Sequence, residues 1–258
     1  MKIAILGAAG RMGQMLLSLA AANKDLQVVA ACERPDFPGL GSAKTAAGLL
    51  LAADWPAGTA CVVDFTFHAA VPAHVAEAVK SGAAYVLGTT GLSADEQAAV
   101  AAAARKIPVV QSSNMSLGVN LLLELVRRAA SVLGPDYDAE IVEMHHRLKK
   151  DAPSGTALML AEAVADGRGQ KLDDVACYGR HGIVGERPCG EIGIHALRGG
   201  SVVGDHTVMF ASDVERVEIV HRAASREAFA AGALRAALWT AGRKPGLYSM
   251  RDVLGFTA

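Results

Sequence analysis

The chain opens with Ile3-Ala4-Ile5-Leu6-Gly7-Ala8-Ala9-Gly10-Arg11-Met12-Gly13, an apolar run that leads into a glycine-rich segment and then into the helix-forming residues 14–22. This order predicts a short strand, a tight turn and a helix. Glycines let a pyrophosphate approach the backbone of such a turn, and the helix N-terminus offers N–H donors to it. The spacing Gly-x-x-Gly-x-x-Gly departs from the commoner Gly-x-Gly-x-x-Gly because position 8 is Ala, so the motif depends on its context.

Residues 26–32 form the next apolar run, and Glu33 follows it directly, twenty residues after Gly13. An acid at this distance typically binds the ribose hydroxyls of a dinucleotide, whereas the guanidinium of Arg34 can pair with a 2′-phosphate. The two residues therefore predict both NADH and NADPH as cofactors. A polar loop after a strand is the alternative interpretation. The predicted cofactor contacts in this region are Gly7, Ala8, Ala9, Gly10, Arg11, Met12, Gly13, Glu33 and Arg34.

Strand and helix patterns alternate as far as residue 111. Buried strands are predicted at 60–66, 84–87 and 107–111, with helices at 68–82 and 93–105. This alternation indicates an α/β fold with an N-terminal Rossmann-like, doubly wound parallel sheet, which binds its ligand at the carboxyl ends of its strands. The segments at those ends are mostly small or polar, although each could be only a turn. The predicted cofactor contacts among them are Phe65, Gly88, Thr89, Thr90, Ser112, Ser113, Asn114 and Met115.

A second informative stretch lies at 140–158. It starts as an apolar strand and enters a helix through Pro153-Ser154-Gly155-Thr156, after passing through His145, His146, Arg147, Lys149 and Lys150. Imidazole and ammonium groups beside a helix N-terminus favour an anionic ligand, either a carboxylate or a phosphate. The alternatives are that Ser154 is simply an N-cap and that the basic residues form a solvated turn.

With 258 residues, of which 52% are hydrophobic and 20% charged, the chain is long enough for two domains. The formal net charge of −1 gives no general attraction to nucleic acid or to an anionic membrane. The N-terminus shows no signal-peptide pattern, and no apolar run reaches membrane-spanning length. Because the four cysteines are scattered, we expect a cytoplasmic protein with reduced thiols, without a nucleic-acid or membrane partner.

Three other kinds of site are disfavoured by residue spacing. The His and Cys residues lack metal-ligand spacing, so no metal is expected. Residues 39–45 resemble a phosphate loop, but Ala43 stands where glycine must precede the lysine, which argues against a nucleoside triphosphatase. The Gly-x-Ser-x-Gly motif of esterases is absent. The remaining histidines are interpreted as structural hydrogen-bonding or loop residues: His181, His195, His206 and His221.

The pattern changes after a long apolar helix predicted at 116–133. Strand-like runs at 206–210 and 215–221, with tight turns and a Gly-, Arg- and His-rich segment at 177–201, predict a smaller α+β domain with a mixed sheet. The helix at 154–166 would cover one face of that sheet. We therefore predict a dinucleotide-binding domain at 1–115, joined by 226–258 with its helix at 225–241, and a substrate-binding and oligomerisation domain at 116–225.

The segment 143–157, Glu-x-His-His-x-x-Lys-x-Asp-Ala-Pro-Ser-Gly-Thr-Ala, resembles the signature of the dihydrodipicolinate reductase family of bacterial and plant lysine synthesis. The resemblance continues along nearly the whole chain. It includes the glycine turn, Glu33, Gly88-Thr89-Thr90, Asn114-Met115-Ser116, Gly190-Glu191-Ile192-Gly193-x-His195 and Arg198-Gly199-Gly200. The departures are Leu148, where some relatives carry a polar residue, and a short loop at 34–48.

The resemblance implies the reduction of 4-hydroxy-tetrahydrodipicolinate by NADH or NADPH to tetrahydrodipicolinate, with loss of water, in the diaminopimelate route to lysine. His145 would supply a proton with assistance from Lys149, and the cyclic dicarboxylate substrate would bind to His146, Lys149, Ser154, Gly155 and Thr156. A hinge would bring the second domain over the nicotinamide. The resemblance also implies a homotetramer, in which neighbouring subunits cover the free face of the second sheet.

Two other classes of function fit parts of the sequence. A non-catalytic redox sensor could reuse the dinucleotide fold, but it has little use for His145, Lys149 and the Gly155-Thr156 segment together. A semialdehyde dehydrogenase needs a nucleophilic cysteine with a histidine partner. None of the four cysteines lies in the predicted site segments, which disfavours that class.

Overall fold

The computed structural model describes residues 1–45 and 48–256. The chain divides into two compact units, which we call unit 1 (Met1–Leu117 and Glu227–Ala258) and unit 2 (Gly118–Arg226). The sequence analysis placed the corresponding limits after residues 115 and 225. The roles assigned to the two domains stay predictions.

The helices and strands follow one another along the chain as β1 (Lys2–Leu6), α1 (Arg11–Ala21), β2 (Gln27–Cys32), β3 (Leu51–Ala52), β4 (Cys61–Asp64), α2 (Val71–Ser81), β5 (Ala84–Leu87), α3 (Ala94–Ala104), β6 (Pro108–Gln111), α4 (Leu117–Leu133), β7 (Asp138–His145), α5 (Gly155–Gly167), α6 (Leu172–Val175), β8 (Ala176–Cys177), β9 (Ile192–Arg198), β10 (Asp205–Ala211), β11 (Arg216–Arg222), α7 (Glu227–Trp239), β12 (Gly246–Tyr248) and α8 (Met250–Leu254). Short 3₁₀ helices cover His68–Ala70 and Gly134–Asp136. Within the described part of the chain, no helix is long and apolar enough to cross a membrane.

Unit 1 contains a seven-stranded sheet in the order β12-β6-β5-β4-β1-β2-β3, and every neighbouring pair is parallel. Along β1, Ile3 and Ile5 point to one face and Ala4 and Leu6 to the other, as the two-residue period of a strand requires. Helices α1 and α7 cover the first face, and α2 and α3 cover the second. This arrangement confirms the predicted doubly wound, Rossmann-like fold.

Local signals explain where the helices of unit 1 begin and end. A capping box formed by Ser93 and Glu96 starts α3, and Gly82 in the left-handed conformation (φ 72°) ends α2. The predicted helices and longer strands of this unit lie close to the observed ones. The two short strands β3 and β12 were missed, because two or three residues are too few to show a period.

Unit 2 contains a five-stranded sheet in the order β11-β10-β7-β9-β8. Strand β10 is antiparallel to β7 and β11, whereas β7 and β8 are parallel to β9, so the sheet is mixed, as predicted. Leu160 and Val164 of α5 pack in one cluster with Ile141, Ile194 and Phe210 of the sheet. Strand β9 was missed, because Gly193 and His195 interrupt its apolar pattern.

Glu140 of β7 holds the segment 180–187 through ion pairs. Its carboxylate lies 2.8 Å from Arg180, 3.0 Å from Arg187 and 2.8 Å from His195. Burial raises the pKa of this carboxyl group, but the hydrogen bonds from Arg180, His195 and Arg187 outweigh burial and lower the pKa to about 2. The network therefore needs Glu140 in its ionised form.

We predict that Glu140→Gln lowers the free energy of unfolding at pH 7 by about 1.5–3 kcal/mol, the range for hydrogen bonds to charged groups. Because the pKa of Glu140 is lower in the folded chain than its ordinary value of 4.5, its contribution is complete above about pH 5 and declines towards pH 2. Urea unfolding at pH 7 and pH 3 should show a smaller difference between variant and wild type at pH 3. A difference that is equal at both pH values would contradict this account of the network.

Candidate functional site

The glycine turn of unit 1 requires its glycines. Gly7 has a left-handed backbone (φ 70°), and a Cβ on Gly13 would overlap the carbonyl oxygen of Gly7. Gly10 is the N-cap of α1, so no side chain caps the first N–H groups of this helix. Close backbone approach and free helix N–H groups are what a pyrophosphate needs, so the turn fits a dinucleotide.

Glu33 lies at this turn, as the sequence predicted. One of its carboxylate oxygens accepts a hydrogen bond of 2.8 Å from the backbone N–H of Ala9. Arg34 is largely exposed and pairs with Asp36 at 3.3 Å. The structure therefore brings Glu33 and the turn together, while Arg34 lies in the loop that follows β2.

The loops after β4 and β5 contact each other. A Cβ on Gly88 would overlap the ring of Phe65, so this ring packs directly against the Gly88 backbone. The Oγ1 of Thr89 accepts a hydrogen bond of 3.0 Å from the N–H of Thr66, whereas Thr90 is exposed. The predicted residues Phe65, Gly88 and Thr89 thus share one surface at the carboxyl ends of the strands.

The segment after β6 forms a tight turn. The Ser112 hydroxyl donates to the Asn114 carbonyl (2.7 Å), and the Asn114 side chain accepts from the Ser116 N–H (2.9 Å). Ser113 is exposed, but the side chain of Met115 is buried in the core of unit 1. A ligand could therefore contact Met115 only through its backbone.

A fully buried carboxylate, Glu143, organises the predicted site in unit 2. It accepts hydrogen bonds from His145 Nδ1 (2.6 Å), from both terminal nitrogens of Arg198 (2.8 and 2.9 Å) and from the Ser154 N–H (3.0 Å). Burial raises the pKa of Glu143, but the hydrogen bonds from Arg198, His145 and Ser154 outweigh it and lower the pKa. An ionised Glu143 fixes the His145 ring and directs the proton on Nδ1 towards itself.

The start of α5 lies next to this pair. Ser154 is its N-cap, as the simpler interpretation proposed, and its hydroxyl accepts a bond of 3.2 Å from the Ala157 N–H. Gly155 and Thr156 are the first two residues of the helix, and Gly155 is exposed with nothing within 4 Å of where a Cβ would stand. An anion can therefore approach the backbone at Gly155.

His206 joins the site, although the sequence had suggested only a structural role. Its Nε2 lies 3.3 Å from the Ser154 hydroxyl, and its ring stands edge-on to His145 with 5.2 Å between centroids. Burial, and then the nearby His145 and His221, lower the pKa of His206 to about 4. His206 is therefore neutral at pH 7.

Lys149 and His146 are the remaining predicted residues. The Lys149 ammonium pairs with Asp151 at 2.9 Å, and its side chain is mostly buried. In the described part of the chain, the buried Nδ1 of His146 has no hydrogen-bond partner. Lys149 and the α5 N-terminus follow the same strand end, β7, that carries His145.

Family models for the N-terminus and the C-terminus of dihydrodipicolinate reductase match residues 1–115 and 118–254 of this chain. The chain belongs to the dihydrodipicolinate reductase family. This finding confirms the resemblance predicted from the sequence, and members of the family use NADH or NADPH.

Named relatives cover almost the full length of the chain. A 4-hydroxy-tetrahydrodipicolinate reductase from Anaeromyxobacter dehalogenans (strain 2CP-1) is 52% identical over 98% of this chain and 97% of its own. The Syntrophus aciditrophicus reductase of the same name is 45% identical over 99% of both chains. The solved structure of a dipicolinate-bound dihydrodipicolinate reductase from Paenisporosarcina sp. TG-14 is 22% identical, with a TM-score of 0.79 over 97% of this chain and 98% of that chain. At that identity, the match supports the fold alone.

Two of the four cysteines, Cys32 and Cys61, are buried and do not suit the role of nucleophile in a semialdehyde dehydrogenase. Burial raises the pKa of the Cys32 and Cys61 thiols to about 12, so neither forms a thiolate at neutral pH. Cys177 donates to the carbonyl of Gly179. Among the residues that the structure describes, no group of His, Cys, Asp and Glu is arranged to hold a metal ion.

Sequence reasoning missed the residues that hold the site in place. Glu143 and Arg198 belong to the family motifs, but no role was assigned to them. Asp64, a buried acid at the end of the apolar strand β4, was also passed over. Both acids could have been found from the sequence, since Asp64 in β4 and Glu143 in β7 are charged residues in apolar strands. A charged group in such a strand must find buried partners.

Proposed function

We propose that this family member reduces 4-hydroxy-tetrahydrodipicolinate to tetrahydrodipicolinate, with loss of water, in the diaminopimelate route to lysine. NADH or NADPH supplies the hydride when bound. The observation that carries the proposal is the His145 ring held by buried Glu143 beside the first turn of α5. This arrangement combines a positioned acid with an anion-binding backbone, and the reaction of a dicarboxylate needs both.

The cofactor contacts that we propose lie in unit 1. The glycine turn at 7–13 would bind the pyrophosphate, and Glu33 would bind the ribose hydroxyls of the adenosine half. Arg34 would pair with the 2′-phosphate of NADPH. Residues at the ends of β4, β5 and β6 would contact the nicotinamide half, and they are Phe65, Gly88, Thr89, Thr90, Ser112, Ser113, Asn114 and the backbone of Met115.

Glu143 would allow His145 to act as an acid. A carboxylate on Nδ1 holds the ring in one orientation and leaves Nε2 to deliver the proton, as the buried acid of a catalytic triad orients its histidine. The product needs one proton for each hydride that it receives. His145 would give that proton to the substrate, and Lys149 would assist by holding the negative charge nearby.

The substrate carboxylate would bind at the start of α5. Its oxygens would accept from the backbone of Gly155 and from the backbone and hydroxyl of Thr156, with Ser154 in place as the cap. His146 and Lys149 would complete the anion site. The Lys149 ammonium is a suitable donor to a carboxylate, as its pairing with Asp151 illustrates.

We also propose a cytoplasmic homotetramer without nucleic-acid or membrane partners. The sheet face of unit 2 opposite α5 carries Leu197 and Val220, which are 49% and 44% exposed in the single chain. An exposed apolar sheet face of this kind favours burial against another copy. Sedimentation equilibrium tests this assembly, and a monomeric mass at micromolar concentration would contradict it.

We predict that His145→Gln lowers kcat by about 10²–10⁴-fold, the range for a lost general acid, because glutamine cannot deliver the proton. The Kd for NADPH should stay within about twofold, since His145 is not one of the proposed cofactor contacts. Steady-state turnover and cofactor fluorescence titration measure the two quantities. His181→Gln, an exposed histidine without an assigned role, is the matched control. Unaltered turnover in His145→Gln would remove His145 from the mechanism.

We predict that Lys149→Ala raises the KM for the substrate and the inhibition constant of pyridine-2,6-dicarboxylate, a flat mimic of its ring. The loss should correspond to about 1.5–3 kcal/mol for a missing charged hydrogen bond. Lys150→Ala is the control, because Lys150 is the exposed neighbour of the same charge. If Lys149→Ala weakened only NADPH binding, the carboxylate role of Lys149 would be wrong.

A further inference from the structure

Asp64, the last residue of β4, is a fully buried acid that the proposed chemistry does not use. One carboxylate oxygen accepts from the N–H and hydroxyl of Thr66 (2.8 and 2.7 Å) and from the Thr89 hydroxyl (3.1 Å). The other accepts from His74 Nδ1 (2.8 Å) and from the Tyr85 hydroxyl. Five donors thus surround one carboxylate.

These donors keep Asp64 ionised. Burial raises its pKa, but the hydrogen bond and charge of His74, followed by the hydroxyls of Tyr85 and Thr66, outweigh burial and lower the pKa. A buried carboxylate without such donors would be strongly destabilising, so each donor group is held in place by the charge that it compensates.

The carboxylate joins four separate elements of unit 1. His74 lies on α2 and Tyr85 on β5, whereas Thr66 and Thr89 belong to the loops after β4 and β5. Neither His74 nor Tyr85 is a proposed cofactor contact. Asp64 therefore ties these two loops to helix α2 and strand β5.

The loop after β4 in turn lies against the glycine turn. A Cβ on Gly7 would stand 3.2 Å from the carbonyl oxygen of Phe65 and 3.3 Å from the methyl group of Thr66. On the other side, the Phe65 ring packs against Gly88. A shift of Thr66 would therefore move Phe65 relative to both glycines.

We propose that Asp64 is a positioning residue for the nicotinamide cofactor. Its carboxylate fixes Phe65, Gly88 and Thr89 as one surface beside the glycine turn, without touching the cofactor itself. This inference rests on the proposed function, because the ligand of that surface is the cofactor of that reaction. Since Asp64 acts on a surface shared by NADH and NADPH, it sets the affinity for both and leaves the preference between them unchanged.

The test is the Kd for NADH and for NADPH, measured by nicotinamide fluorescence on the full chain, together with the melting temperature. Asp64→Asn should weaken both cofactors by about tenfold, the order expected for a lost charged hydrogen bond. His74→Leu should weaken both in the same direction. His74→Asn should restore most of the affinity, because the asparagine amide can place an N–H where Nδ1 stands.

Val100→Ala is the control for a merely structural role. Val100 is fully buried on α3, in the same core cluster as Tyr85. Its truncation should therefore lower the melting temperature without affecting the Asp64 hydrogen bonds. The inference requires that Val100→Ala keeps wild-type cofactor affinity, and that Asp64→Asn loses affinity for both cofactors to the same extent.

Two results would overturn the inference while leaving the proposed function intact. One is a folded Asp64→Asn variant that binds both cofactors as tightly as the wild type. The other is an equal loss of affinity in Val100→Ala and Asp64→Asn at equal melting temperature. A wild-type chain that binds neither cofactor would instead overturn the proposed function, and the inference with it.

Discussion

The site in unit 2 depends on one buried negative charge, the carboxylate of Glu143, and on the hydrogen bonds that compensate it. A carboxylate as buried as that of Glu143 is tolerated only if its oxygens are fully bonded, and the donors come from three separate elements. His145 supplies one from the end of β7, Arg198 supplies two from the end of β9, and the Ser154 N–H supplies one at the start of α5. The strand end, the neighbouring strand and the helix N-terminus are therefore fixed relative to one another by the same charge.

Strand register explains why these groups meet. Glu143 and His145 are two residues apart on β7, so both point to the face that α5 covers. In the pairing of β7 with β9, His145 stands opposite Arg198, and in the pairing with β10, Glu143 stands opposite His206. A slip of one residue in either pairing would turn these side chains to the other face. Unit 1 uses a similar solution, since Asp64 ends β4 as a buried carboxylate and collects its donors from the loops and helix around it.

Much of the fold could be predicted from the sequence because its signals are local. The alternating strands and helices of unit 1, the glycine turn and the N-cap at Ser154 each depend on a few consecutive residues. Strand β9 could not be predicted in this way, because Gly193 and His195 break its apolar period. The part that His206 plays depends on the register between strands about sixty residues apart in sequence, which no spacing within a motif contains. Met115 was predicted as a cofactor contact because it lies in a recognisable motif. Its side chain nevertheless packs in the core of unit 1, which the motif does not reveal.

Glu143 determines which ring nitrogen of His145 carries the proton, and the nitrogen chemical shifts of the His145 ring, recorded by NMR in the wild-type protein, test this directly. In the neutral form of the ring, we expect a proton on Nδ1, bonded to Glu143, and a free lone pair on Nε2. A neutral ring that carries its proton on Nε2 would contradict this expectation, because Glu143 would then not be the acceptor of the Nδ1 proton and the site would have no built-in orientation for its acid.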